Sequence, residues 1–312
     1  MPGVPKTGEG GVLNRNWYRG DGRVEVVERA VTAPWEGVRC TPVGGSDVGV
    51  VVLSGSSGRV ELARARVLAA AGFDVLTFRW FGGPGQPPGV CEVPLETFTA
   101  AVDLLRAEGA RRIGFLGTSK GAEASLLTAV HDPRVDAVVA LAPTSLVWCN
   151  VGPGADGANR PFRSCWTWRG QPLPFVPMDE TWTPTEPEGT PAAIRGWYEQ
   201  SERTFADALP AATIPVERAR ADLLLIAGGA DAMWPSLPFA EQLRARREAA
   251  DASVRLLTDP EAGHRLLLPG ESPLPPSLVF EHGGGPKADA RLGTAAWPYV
   301  LATLGGGLPQ TN

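Results

Sequence analysis

This 312-residue chain has little lysine and little histidine. Of its 29 basic residues only Lys6, Lys120 and Lys287 are lysines, and His131, His264 and His282 are its histidines. The histidines stand far apart and in no H-E-x-x-H spacing, which excludes the usual metallohydrolase signature; no metal is expected. The four cysteines, Cys40, Cys91, Cys149 and Cys165, form no C-x-x-C pair. A zinc site or disulfide framework is therefore not expected, and reduced, mostly buried thiols are. No apolar run reaches the roughly 18 residues of a membrane span. There is no basic run, and the net charge is -5, so neither nucleic acid nor membrane is an expected partner. The opening "MPGVPKTGEGG" lacks the apolar core of a leader, and a cytoplasmic protein is expected. The glycines of "GGPGQPPG" do not join a strand to a helix in the G-x-G-x-x-G register, so no cofactor is expected.

What is present is a strong alternation. After a Gly- and Pro-rich arm over residues 1–20, "RVEVVERAV" and "WEGVRCTPV" alternate as two strands of a hairpin. "DVGVVVLSGSSG" is instead a continuous β-branched run, the pattern of a strand buried on both faces. Helix, strand and helix patterns follow to about residue 108. Then come strand "RRIGFLG", helix "KGAEASLLTAV" and strand "VDAVVALAP". The pattern resumes at "ADLLLIAGG", passes through a helix and "SVRLLTD", and ends in a helix near "ADARLGTAAWPYVLATL". Strands alternating with helices predict an α/β fold, a mostly parallel central sheet with helices on both faces. One catalytic domain is expected over residues 21–312. Between about 144 and 212 the period is lost while Trp148, Trp166, Trp168, Trp182 and Trp197 accumulate. So aromatic an insertion argues against disorder, and it is read as a cap over the carboxyl ends of the strands. The alternative is that these tryptophans fill the cap's own small core. Trp148, Trp166 and Trp234 are taken as candidate substrate-pocket residues.

Gly117-Thr118-Ser119-Lys120-Gly121 is a G-x-S-x-G between a predicted strand and a predicted helix, the context of a nucleophile elbow. The helix start beside Ser119 favours developing negative charge. A serine hydroxyl needs a base within hydrogen-bond reach. His131 leaves the wrong end of the helix after the elbow, and His282 lies in a late loop. His264 follows the last predicted strand and is the chosen base. Among Asp231, Asp259 and Glu261, Asp231 stands at the carboxyl end of a buried strand, where an acid that orients the base belongs. Asp259 and Glu261 read as loop charges. The order Ser119, Asp231, His264 is that of α/β hydrolases. The oxyanion hole would use the backbone N–H of Lys120 and one from "LSGSSG", Ser56 before Ser57. The Lys120 side chain could pair with Glu123, brace the turn, or meet a substrate phosphate.

With these motifs in place, "GTSKGAE", "GGADAMWPS" and "AGH" resemble the catalytic domain shared by acyl-CoA thioesterases and bile acid-CoA:amino acid N-acyltransferases. "RWFGGPGQPP", "PLETF", "SCWTWRGQPLPFVP" and "GGGP" extend the resemblance over roughly residues 33–308, nearest to stand-alone bacterial members. It implies an α/β-hydrolase fold with Ser119 as nucleophile, Asp231 as acid and His264 as base. Its implied substrate is an acyl thioester on CoA or an acyl carrier protein, or an ester. Two departures stand out. Full-length members carry a β-sandwich domain before the catalytic one; about 30 residues precede the match here, so substrate recognition assigned to that domain is not carried over. The amide-forming members use cysteine where this chain has Ser119, which leans toward hydrolysis. The paired acids "GGDD" are "GGAD" here, leaving only Asp231. A lactonase or carboxylesterase, an acyltransferase to an alcohol or amine, and a non-catalytic binding protein are the other readings.

Overall fold

The computed structural model describes residues 25–307; the arm expected over residues 1–20 lies outside them. Strands β1 (Val26–Val31) and β2 (Gly37–Pro42) form an antiparallel hairpin. They are followed by β3 (Val48–Leu53), α1 (Leu62–Ala70) and β4 (Asp74–Phe78). Next come the two-residue β5 (Val93–Pro94), α2 (Glu96–Ala107), β6 (Arg112–Thr118), α3 (Lys120–His131) and β7 (Ala137–Leu141). The chain then leaves the large sheet, forming β8 (Trp166–Trp168), β9 (Gln171–Pro172), α4 (Arg195–Thr204) and α5 (Leu209–Ala212). It returns as β10 (Asp222–Gly228), α6 (Ser236–Ala249), β11 (Val254–Asp259) and α7 (Pro286–Gly305). No helix among the described residues is long and apolar enough to cross a membrane.

The eight-stranded sheet has the order β1-β2-β4-β3-β6-β7-β10-β11. Every pairing from β4 to β11 is parallel, and β2 alone runs the other way, pairing antiparallel with both β1 and β4. The winding reverses between β3 and β6, because the chain first steps from β3 outward to β4 and then returns to the other side. In open parallel sheets the crevice at such a reversal is where loops diverge and ligands bind. The loop after β3 and the turn after β6 meet there.

Side-chain alternation along β3 divides the core in two. Val51 and Leu53 pack with residues of α2, α3 and α6, while Val50 and Val52 pack with residues of α1 and α7. This explains why β3 reads as an unbroken apolar run: both faces are covered. The segment between β7 and β10 contributes Leu146, Trp148, Val176 and Tyr198 to a third cluster, completed by Trp234 and Phe239 from beyond β10. It docks on the rest through backbone, as where the Arg195 N–H donates to the Ala232 carbonyl beyond β10.

Candidate active site

Ser119 stands at the sharp turn between β6 and α3 with φ 57 and ψ −121. A left-handed backbone at a residue with a Cβ is strained, and it persists only where surrounding packing leaves no alternative. The flanking glycines supply that packing. A methyl group on Gly117 would sit 2.1 Å from the Gly121 carbonyl oxygen, and one on Gly121 would sit 2.3 Å from that of Ser54. Strand, turn and helix therefore approach closer than any side chain permits. Ser119 itself is partly buried, and its hydroxyl has no hydrogen-bond partner among the described residues. Its N–H is held by the Leu141 carbonyl at 2.9 Å.

Lys120 opens α3, so its N–H has no intrahelical acceptor. Neither it nor the N–H of the exposed Ser56 meets an acceptor among the described residues. The loop carrying Ser56 touches the turn: a Cβ on Gly55 would lie 3.1 Å from that of Ser119. The start of α3 and the loop after β3 thus each leave an amide without an acceptor near the turn, the kind of donor that can hold an oxyanion.

On the other side of the crevice, His264 Nδ1 lies 2.8 Å from Asp231 Oδ2, both groups buried. Asp231 Oδ1 is occupied by the N–H groups of Met233 and Trp234 at 2.9 and 3.3 Å. This turn-closing pattern fixes the carboxylate. The indole of Trp234 connects the two halves of the site. Its ring centre is 5.8 Å from that of His264 and 5.7 Å from the Lys120 Nζ, and its Nε1 donates to the Ala142 carbonyl at 3.1 Å.

A strap that the sequence analysis did not anticipate, built from His282 and the glycines of "GGGP", ties the acid loop to the base loop. The carbonyl of His282 accepts the N–H of His264 at 2.9 Å and that of Ala232 at 3.3 Å. Gly283 bridges to Asp231, and the His282 ring lies 6.0 Å from that of His264. The triple glycine before α7 allows these backbones to nest. Asp289, in the first turns of α7, accepts the Gly263 N–H at 2.8 Å; burial raises its pKa, and Asp231 and Asp259 add to that rise.

The remaining candidates fall elsewhere. His131 stacks on Trp168 at 4.8 Å, away from the crevice. Asp259 and Glu261 share Arg291 at 2.7 and 2.8 Å; Glu261 is an exposed loop charge, but Asp259, expected to be one, is buried at the end of β11. Among the described residues no group of three or more His, Cys, Asp or Glu side chains is placed to hold a metal ion.

The Lys120 ammonium does not face the crevice. It is 2% exposed and pairs with Glu123 Oε2 at 2.8 Å. Glu123 Oε1 accepts the Trp166 indole N–H at 2.8 Å and the Trp148 backbone N–H at 3.2 Å. Burial alone would lower the Lys120 pKa, but Cys165 and Glu123 outweigh it and raise it. The bracing role is thus the one the packing offers, and a substrate phosphate has no route to the ammonium. The pocket role expected of Trp148 and Trp166 meets the same obstacle. Both are almost wholly buried, Trp166 against Trp80 at 5.4 Å and Trp148 against Tyr198 at 4.7 Å. Their spacing in an irregular segment gave no clue to which way they turn. Trp234, 2% exposed, touches the base but offers a substrate little surface.

The sequence pattern of the family described as BAAT / Acyl-CoA thioester hydrolase C terminal matches residues 93–305. Acyl-coenzyme A amino acid N-acyltransferase 2 of Rattus norvegicus is 30% identical over 82% of this chain and 57% of its own length. Acyl-coenzyme A thioesterase 6 of Homo sapiens is 27% identical over 81% of this chain and 58% of its own. The chain thus spans little more than half the length of these relatives. Among solved structures, a dienelactone hydrolase-like promiscuous phosphotriesterase from metagenomic libraries superposes with a TM-score of 0.51 at 14% identity. That match covers 92% of this chain and 98% of the other. A puromycin-hydrolyzing peptidase of Mycobacterium tuberculosis gives 0.52 at 15% identity, over 92% of this chain and 40% of its own. These likenesses establish the α/β-hydrolase fold.

Proposed function

The chain belongs to the BAAT / acyl-CoA thioester hydrolase C-terminal family, and from that premise we propose that it is a serine hydrolase cleaving an acyl thioester. The observation that carries the reading is the buried 2.8 Å contact between His264 Nδ1 and Asp231 Oδ2, in a chain whose G-x-S-x-G serine stands on a strained strand-to-helix turn. In this reading Asp231 fixes the imidazole with Nε2 free to accept a proton. His264 takes the Ser119 proton as Oγ attacks the thioester carbonyl. The oxyanion that forms is met by the N–H groups of Lys120 and Ser56. Collapse expels the thiol, which receives the proton from His264. Water, deprotonated by the same imidazole, then releases the acid and restores Ser119. The thiol is that of CoA or of an acyl carrier protein. The reading places the protein in the cytoplasm.

The names of the similar N-acyltransferases favour a second outcome from the same acyl-enzyme, discharge by an amine. Ser119 argues against it, since an oxygen-ester intermediate reacts with amines less readily than a thioester one. The test incubates wild type and Ser119→Ala with a panel of acyl-CoA and carrier-mimic thioesters, with and without amino acid acceptors. Thiol release by wild type alone, with acid as the product, is the expected result. Equal release by both proteins across the panel ends the proposal, and amide formed in proportion to acceptor moves the assignment to transfer.

A further inference from the structure

Behind the crevice, on the face covered by α1 and α7, a buried arginine touches both sides of the site. Arg64 projects from α1 and is 8% exposed. Its Nη1 donates to Thr118 Oγ1 at 2.7 Å. Its Nε and Nη2 take the two carboxylate oxygens of Glu271 at 2.5 and 2.9 Å, and Nη2 also reaches the Leu266 carbonyl at 3.3 Å. Glu271 Oε2 in turn accepts the Leu268 N–H at 2.9 Å. Thr118 is the residue before Ser119, and Leu266 lies two residues beyond His264. One planar group therefore spans from the strand that carries the hydroxyl to the segment that carries the imidazole.

Stability alone is a poor reason for this arrangement. A buried ion pair usually gains little over apolar side chains of similar volume, because desolvation offsets the attraction. What a guanidinium adds is a rigid fork with fixed bond directions, which an ammonium does not reproduce. Ser119 and His264 have no direct hydrogen bond, and a displacement of about 1 Å between reacting groups lowers rates by as much as 10²-fold. We propose that Arg64 is a positioning residue that sets the distance between Ser119 and His264, through Thr118 on one side and through Leu266 and Glu271 on the other. This rests on the serine-nucleophile reading.

The experiment measures labelling of Ser119 by a fluorophosphonate probe, resolved into kinact and KI, together with Tm. The proteins are wild type, Arg64→Lys, Thr118→Val and the double variant. Thr118→Val keeps the branched shape and removes one hydrogen-bond acceptor, so it remains informative if Arg64→Lys does not fold. The expected result is a kinact lower by roughly tenfold in each single variant, with KI unchanged. The double variant falls no further than Arg64→Lys, because the two substitutions break the same link. A purely structural arginine would lower Tm and leave kinact per folded molecule as in wild type; that outcome in Thr118→Val, and in Arg64→Lys if it folds, overturns the proposal. A wild type that is not labelled at Ser119 overturns the nucleophile reading instead, and the two failures are distinct.

Discussion

Two buried carboxylates in this protein are held in nearly the same way and differ in what they hold. Glu123 and Asp231 each give one oxygen to two N–H donors. Each gives the other oxygen to a basic side chain at 2.8 Å. Glu123 faces an ammonium whose pKa its neighbours raise, so its proton stays in place across the neutral range. Asp231 faces an imidazole, the side chain most often used as a general acid and base. The first pair is a fixed charge and a fastener; the second is able to pass a proton. Burial and saturated hydrogen bonds are common to both, so neither marks a reactive pair. The nature of the base does.

Substitutions that treat the two pairs alike would separate them. The largest effect is expected at Asp231→Asn, where the imidazole loses its orienting charge. Thioester turnover should drop by about 10⁴-fold while the urea midpoint moves little; turnover within tenfold of wild type would remove Asp231 from the site. Next comes Glu123→Gln, which strands a buried ammonium. Breaking such a pair from one side costs about 3–5 kcal/mol, read as a lower urea midpoint. The double variant Lys120→Met with Glu123→Leu should recover much of that loss. If the double variant is as unstable as the single one, the hub is held by packing and not by charge.

The smallest effect concerns the strap over the second pair. Burial lowers the His282 pKa from 6.5 to about 4, and the charges of Arg265 and His264 assist. The unfolded chain therefore takes up this proton first. The stability concerned is fully present above about pH 6.5 and is lost as pH falls toward about 4. His282→Asn should flatten the stability profile across that window, as followed by thermal melts at several pH values. An unchanged slope would show that His282 does not titrate there.

Much of this was legible in the chain. The unbroken β-branched runs and the short helix-strand spacing are local patterns, and they set the order of strands and helices. The elbow was legible because Gly117 and Gly121 bracket Ser119 at the boundary between two such patterns. The choice of Asp231 and His264 followed from which strand ends they close. The orientation of the cap tryptophans was not legible, because Trp148 and Trp166 stand in a segment without a period. The strap from His282 to Gly284 and the span of Arg64 were not legible either. Each depends on backbone or side-chain contacts between segments tens to hundreds of residues apart.

The sequence by itself determined the sheet, the turn that presents Ser119, and the candidate acid and base that follow it. It also placed a lysine and a glutamate three residues apart on α3. Only the tertiary structure decided that this pair is buried beneath the cap and linked to two tryptophans, not exposed or facing a substrate. The reason is physical: the spacing of two charges in a helix brings them together, but the surface that closes over them comes from the insertion after β7.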